Sequence, residues 1–293
     1  MNNLLKFLQK QILLFDGAMG TFLHKKGLLP DACPEEWNLT HPEVVKEIHK
    51  SYYDAGSDCV ETNSFGGSKI KLDKYGFGER TYEFNKRAAE LAREVCPSGK
   101  FVAGSVGPSG EMLEPFGPLT REQAYNGFVE QIKGLFEGGV DAICIETMMD
   151  IEEAKIAIKV AKDVTNIPII STMTFSGSPK GYKTLMGNSA KDVAIELKKA
   201  GADIIGSNCG TGIEDMINIL KEMKSAVGDV YFIIQPNAGL PELIDGKSTY
   251  KDTPEMMKSK LPELLKVGLN IFGGCCGTTP EHIKAFKEIL INA

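Results

Sequence analysis

The sequence predicts an α/β chain folded as a (β/α)8 barrel of the TIM type, opened by a short N-terminal helix. Three observations predict it. Short β-branched runs alternate with amphipathic stretches along the whole chain. Eight such runs occur, and their starts lie roughly 25 to 45 residues apart, the length that a strand, a helix and two loops consume. No linker, charge block or shift of composition divides the chain, so residues 1–293 read as a single domain. A doubly wound open sheet would alternate as well, and the count of eight favours the barrel.

The elements follow in order. Leu4, Leu5, Leu8 and Ile12 have the spacing of a short amphipathic helix. The strand runs are residues 12–15, 59–62, 101–105, 142–145, 168–174, 203–207, 231–235 and 269–273. Helical stretches are expected at 42–55, 80–95, 120–137, 151–164, 189–200, 213–227, 254–267 and 280–291. Thr120-Arg121-Glu122-Gln123 has the pattern of a capping box. The pairs Ala55-Gly56, Gly138-Gly139 and Ala200-Gly201 place a glycine where a helix stops in the left-handed conformation. Segments 69–78, 107–119 and 240–253 read as loops over one face.

Composition narrows the function classes. The 33 Lys and Arg against 39 Asp and Glu give a net charge of −6, without the basic surplus that nucleic-acid binding uses. No run of about 18 apolar residues marks a membrane span. Lys6 and Lys10 interrupt the apolar N-terminus, and no small-residue cleavage site follows, so a signal peptide is not read and the expected compartment is the cytoplasm. Seven cysteines, an odd count in a chain of this size, argue for core, metal-binding or catalytic thiols over a disulfide framework.

In such a barrel the active site lies at the carboxyl ends of the strands. Those ends carry Asp16-Gly17-Ala18-Met19, Glu61-Thr62-Asn63-Ser64, Ser105, Glu146-Thr147, Asn208-Cys209, Pro236-Asn237 and Gly273-Gly274-Cys275-Cys276-Gly277. Cys209 can approach Cys275 and Cys276 across the mouth. Adjacent cysteines do not readily pair with each other, because a disulfide wants Cα atoms about 5.5 Å apart. Both can bind one metal if the glycines let the turn bend. Three thiolates are soft ligands that suit Zn2+ and leave one position open, the pattern of a catalytic zinc. A zinc with three thiolates carries formal charge −1 and is a poor generator of hydroxide. It is better suited to binding another thiol, which points to alkyl transfer onto sulfur. Asp16 and Glu146 can hold a substrate ammonium, and backbone N–H groups around Gly17, Ala18 and Met19 a carboxylate. A thiol amino acid satisfies all three elements. Asn63 and Ser105 are expected to contact substrate at the same mouth. Cys33, Cys59, Cys96 and Cys144 read as bland.

These segments resemble the homocysteine S-methyltransferase family over essentially the whole chain, most closely the homocysteine-binding domain of cobalamin-dependent methionine synthases. Gly273-Gly274-Cys275-Cys276-Gly277-Thr278-Thr279-Pro280 is the most specific match, joined by Glu61-Thr62-Asn63-Ser64-Phe65 and Pro236-Asn237-Ala238-Gly239-Leu240-Pro241. The resemblance implies that Cys209, Cys275 and Cys276 bind zinc and that homocysteine is methylated to methionine. It implies that Asp16, Glu146 and the Ala18–Met19 backbone contact the amino-acid end, and it makes Asn237 a candidate weak fourth ligand. It further implies methylcobalamin as methyl donor, not bound by this chain alone, and methyltetrahydrofolate as the ultimate source. The chain departs from the pattern of those modular enzymes, because nothing in it looks like a pterin- or cobalamin-binding domain. The expectation is therefore a fragment or a free-standing half that works with such domains or with a corrinoid protein.

Three alternatives accompany this reading. A relative could use S-methylmethionine, S-adenosylmethionine or betaine directly. The glycines at 273–277 ahead of a helix could cradle a phosphate. The barrel could also be a non-catalytic homocysteine-binding module.

Overall fold

A computed structural model of the chain describes residues 3–178, 181–244 and 247–291. Among them, eight strands form one parallel sheet: β1 (Leu13–Leu14), β2 (Cys59–Glu61), β3 (Phe101–Val106), β4 (Ala142–Met148), β5 (Ile169–Met173), β6 (Ile204–Asn208), β7 (Tyr231–Gln235) and β8 (Ile271–Phe272). The spatial order follows the chain, and β1 returns to pair with β8 through Leu13↔Ile271 and Leu14↔Phe272. A nearly closed (β/α)8 barrel results, as the alternation predicts.

Asp58 bridges the seam between β1 and β2. The Asp58 N–H donates to Leu14 O at 2.6 Å, and its carboxylate Oδ2 accepts the Leu14 N–H at 3.1 Å. The same device recurs around the barrel floor. Asp141 accepts the Val102 N–H, Asp203 the Ile169 N–H and Asn270 the Phe232 N–H, each at 2.9 Å. Each acceptor stands two residues after a left-handed glycine, namely Gly56, Gly139, Gly201 and Gly268. The glycine ends the preceding helix, and the acid or amide side chain then satisfies a strand N–H that would otherwise be buried unpaired.

Outside the barrel, helices bury one face each. In Pro42–Ala55 the buried positions include Val45, Ile48, His49, Tyr52 and Tyr53, the i, i+3, i+4, i+7, i+8 stripe of a helix lying on a sheet. Arg121–Glu137 opens with the capping box expected of Thr120 and Gln123. Inside the barrel, Leu13, Phe15, Cys59, Phe101, Ala103, Ala142, Cys144, Ile170, Ile204, Ile233 and Ile271 form one apolar cluster. The helix Asn3–Leu8 stoppers it from below with Leu4 and Leu8, and Phe7 meets Phe101 edge-on at 5.6 Å.

Two segments expected as loops, and the stretch after β5, hold further short elements. Segment 69–78 contains a helix, Lys69–Asp73, capped by the Ser68 hydroxyl. Segment 240–253 contains an antiparallel hairpin of Glu242–Ile244 with Lys247–Thr249, and the stretch after β5 forms a second hairpin of Ser176–Ser178 with Gly181–Lys183. Each is short and mostly polar, so it lacks the apolar run by which strands and helices announce themselves. Among the described residues, no helix is long and apolar enough to cross a membrane.

Candidate active site

Strand alternation builds the site. Side chains two residues apart share a face, so each inward apolar residue of the floor is followed along its strand by an inward polar one. Cys59 is followed by Glu61, Ala103 by Ser105, Cys144 by Glu146, Ile170 by Thr172 and Ile233 by Gln235; in β6 Ile204 is followed, four residues on, by Asn208. The result is a polar layer on an apolar floor. Above it opens a cavity of about 470 Å³.

At one side of this cavity lie three sulfurs. Cys209, Cys275 and Cys276 place their Sγ atoms within 4.8 Å of one another. Cys209 reaches them because the chain turns sharply after β6: its φ is +57° and that of Gly210 is +72°. A left-handed non-glycine residue costs roughly 1–2 kcal/mol, and here the turn is held by the Cys209 N–H donating to Gln235 O at 3.1 Å. Cys275 and Cys276 are fixed by the Cys275 N–H to Pro236 O at 2.9 Å and the Ala238 N–H to Cys276 O at 3.0 Å. The Cys275 and Cys276 thiols donate to Cys209 and hold it far below the ordinary thiol range, while sharing that anion pushes Cys275 and Cys276 up. Asn237 is buried, and its side chain bonds to Cys209 and helps lower it, while its Oδ1 has no protein partner. Tyr250 also bonds to Cys276, a contact that sequence reasoning missed because Tyr250 lies in the long loop after β7.

The cavity is also acidic. Asp16, Glu61 and Glu146 all line the cavity. Burial raises the pKa of each, and Glu61 adds repulsion to both Asp16 and Glu146. Ser105 Oγ donates to Glu146 Oε1 at 2.5 Å and Asn208 Nδ2 to Glu146 Oε2 at 3.2 Å. Asn208 also clamps Thr147, another left-handed residue with φ +56°, by accepting its N–H at 2.7 Å and donating to its hydroxyl at 2.7 Å. Since Asn208 Nδ2 lies 3.9 Å from Cys275 Sγ, it touches both ends of the site.

The turn Asp16-Gly17-Ala18-Met19 crosses the cavity wall between the two ends. A Cβ on Gly17 would lie 2.5 Å from Thr278 Oγ1 and 3.0 Å from the Tyr52 hydroxyl, and one on Gly274 2.2 Å from Thr278 Oγ1. Glycine is required at both positions because the two loops press together. Tyr52, buried in its helix, donates to Ala18 O at 2.9 Å and fixes this turn. The backbone N–H groups of Gly17, Ala18 and Met19 have no acceptor among the described residues.

The candidate zinc cysteines and the candidate substrate contacts Asp16, Gly17, Ala18, Met19, Asn63, Ser105 and Glu146 all line this one cavity, and Asn237 is buried beside Cys209. Asn63 lines it, but its amide is engaged with Pro34 O at 2.8 Å and Asn38 Oδ1 at 3.1 Å, where it holds the loop after β1. Cys33, Cys59 and Cys144 are buried away from the three sulfurs, and Cys96 ends a helix. Sequence reasoning missed Gln235 as a site residue and left Glu61 without a role. The alternation of β2 and β7 is the signal that finds both. The phosphate-cradle alternative meets a filled loop: the N–H groups of Gly273, Gly274, Cys275 and Thr278 already donate to Ile234, Asp16, Pro236 and Cys275 carbonyls.

Three thiols and three carboxyls thus line one cavity at the carboxyl ends of the strands of a parallel barrel. The chain belongs to the homocysteine S-methyltransferase family, whose profile matches residues 13–290. It is 32 % identical over 308 residues to a methionine synthase of Mycobacterium tuberculosis (strain ATCC 25618 / H37Rv), covering 99 % of this chain and 25 % of that protein. A methionine synthase of Mycobacterium leprae (strain TN) is 32 % identical over 300 residues, covering 96 % of this chain and 24 % of that protein. The chain thus spans about a quarter of the length of these relatives. Its fold is shared with the homocysteine methyltransferase MmuM from Escherichia coli in its metallated form, at a TM-score of 0.81 and 24 % identity over 98 % of this chain and 100 % of that one.

Proposed function

We propose that this barrel binds homocysteine and presents its sulfur for methylation to methionine, with the methyl group coming from methylcobalamin carried by another domain or protein and ultimately from methyltetrahydrofolate. In this reading the barrel is the homocysteine half of a two-part system, whether as one piece of a modular chain or as a protein of its own. The observation that carries the reading is the cavity with a three-thiol cluster at one end and unpaired carboxyl oxygens at the other.

The donor set fits Zn2+. Sulfurs that share one tetrahedral zinc at about 2.3 Å lie roughly 3.8 Å apart, and spacings within 4.8 Å meet that with a small contraction. Cys209, Cys275 and Cys276 would hold the ion, with Asn237 beside them as a weak fourth ligand. When bound, zinc supplies a positive centre that favours the deprotonated form of a coordinated thiol and leaves its sulfur electron-rich.

The protein residues do the rest. Asp16 and Glu146 accept N–H bonds from the ammonium of the ligand. The free amides of Gly17, Ala18 and Met19 take its carboxylate. Ser105 and Asn208 hold Glu146 in place, and the apolar floor keeps water from beneath. With both ends of the amino acid anchored, the sulfur is aimed at the open mouth, where a donor can approach.

The test supplies zinc-loaded protein and homocysteine with each donor in turn. Methionine is expected with methylcobalamin alone. Turnover with betaine, S-methylmethionine or S-adenosylmethionine in the absence of a corrinoid overturns the donor assignment. Homocysteine binding without methylation by any donor would leave a binding module in its place.

A further inference from the structure

We propose that Glu61 is a third carboxylate of the amino-end subsite, that Gln235 positions it, and that the pair selects ligands bearing an ammonium group. This rests on the reading of the ligand as a thiol amino acid, and it assigns a role to two residues that reading does not use.

Asp16 Oδ1, Glu61 Oε1 and Gln235 Oε1 are buried acceptors with no partner. Asp16 and Gln235 are each only 1 % exposed, and both line the cavity. Buried polar groups are almost always hydrogen-bonded, and several unmatched acceptors at one cavity call for a ligand rich in donors. An ammonium group has three N–H donors and a positive charge.

The arrangement is also locked. Gln235 Nε2 donates to Glu61 Oε2 at 2.8 Å and the Cys144 thiol also bonds to this carboxyl, while Oε1 has no partner at hydrogen-bond distance. The Glu61 N–H donates to Asp16 Oδ2 at 3.1 Å, which leaves Oδ1 free. Each of the two acids thus spends one oxygen on the protein and keeps the other. The cationic side chains that line the cavity are engaged elsewhere. Lys71 lies over the Phe65 ring at 4.8 Å, and His24 Nδ1 bonds to Leu28 O at 2.9 Å. The charge of the acids is therefore left for a ligand to meet.

Gln235 also joins the two ends of the site. Its carbonyl accepts the Cys209 N–H and its side chain holds Glu61, so one residue sets the span between the sulfurs and the carboxyls.

Calorimetry on the zinc-loaded full chain tests this with two probes: L-homocysteine, and 4-sulfanylbutanoate, which keeps the thiol and carboxylate and lacks the amine. Wild type should prefer homocysteine. Glu61→Gln, which preserves shape and removes charge, should weaken homocysteine about ten- to a hundredfold, the usual cost of losing a charged hydrogen-bond partner. Binding of 4-sulfanylbutanoate should be unchanged or tighter. Gln235→Met should lower the preference by a smaller factor, and it carries the same readout should Glu61→Gln fail to fold. Wild-type preference retained in both variants overturns the inference alone. Wild type that binds neither probe overturns the homocysteine reading and this inference together. Loss of both probes equally in Glu61→Gln, with zinc retained, would mark a structural role and overturn the inference.

Discussion

The two ends of the cavity are built from buried titratable groups, yet they are finished differently. At the thiol end the groups satisfy each other: Cys275 and Cys276 donate to Cys209, and Tyr250 and Asn237 add further bonds. At the carboxyl end Glu146 is held through both oxygens, whereas Asp16 Oδ1 and Glu61 Oε1 have no protein partner. The thiol end offers a compact, soft donor set suited to a metal ion. The carboxyl end offers hard acceptors suited to N–H donors. What each end already possesses shows which partner it lacks.

The largest effect breaks the thiol end. Cys275→Ser or Cys276→Ser should reduce zinc from about one per chain to near none, because a site with three protein ligands has none to spare. Methylation should vanish with it. Elemental analysis of the purified variants checks this.

The next variant separates the ends. Glu146→Gln should weaken homocysteine by about tenfold or more while zinc stays bound, since it removes a charged acceptor at the far side. Unchanged affinity by calorimetry would remove Glu146 from the ligand's surroundings.

A pH dependence sharpens the contrast further. Burial raises the carboxyl of Asp16 well above its ordinary range, with Glu61 adding to the shift. A carboxyl raised in the folded state keeps its proton where the unfolded chain has released it. Its contribution to stability is full below the ordinary carboxylate pKa of about 4 and is lost as pH rises through the folded value. Asp16→Asn should therefore flatten the loss of stability above about pH 4, measured as melting temperature against pH without ligand. Equal slopes in both proteins would contradict a raised Asp16.

The smallest effect lies outside both ends. Cys96→Ser should leave zinc content and homocysteine affinity unchanged, since Cys96 merely ends the helix Thr81–Val95 and its sulfur meets Arg93 and the Pro97 carbonyl.

Much of this was legible in the sequence, for reasons that differ by region. The strands announce themselves through β-branched runs, and the helix stops through glycines such as Gly56 and Gly201, whose left-handed conformation is confirmed in the fold. The three site cysteines were legible because two strand ends bring them to one mouth. Glu61 was placed at the mouth without a role, and Gln235 was passed over because it lies within a strand and the chemistry was sought just beyond the strand ends. Only the alternation with Cys59 and Ile233 turns them inward. The bond of Tyr250 to Cys276 and the clamp of Asn208 on Thr147 were not legible at all. They join residues that are distant in sequence, and both depend on sharp turns that no local pattern specifies.

The central claim is that the three sulfurs form one metal site, and the most direct test is zinc content. Wild type and Cys209→Ser would be purified without chelators in reducing buffer and their bound zinc counted. The account predicts about one zinc per wild-type chain and close to none in the variant. Equal zinc in both, or a wild type that takes up none on reconstitution, would contradict it.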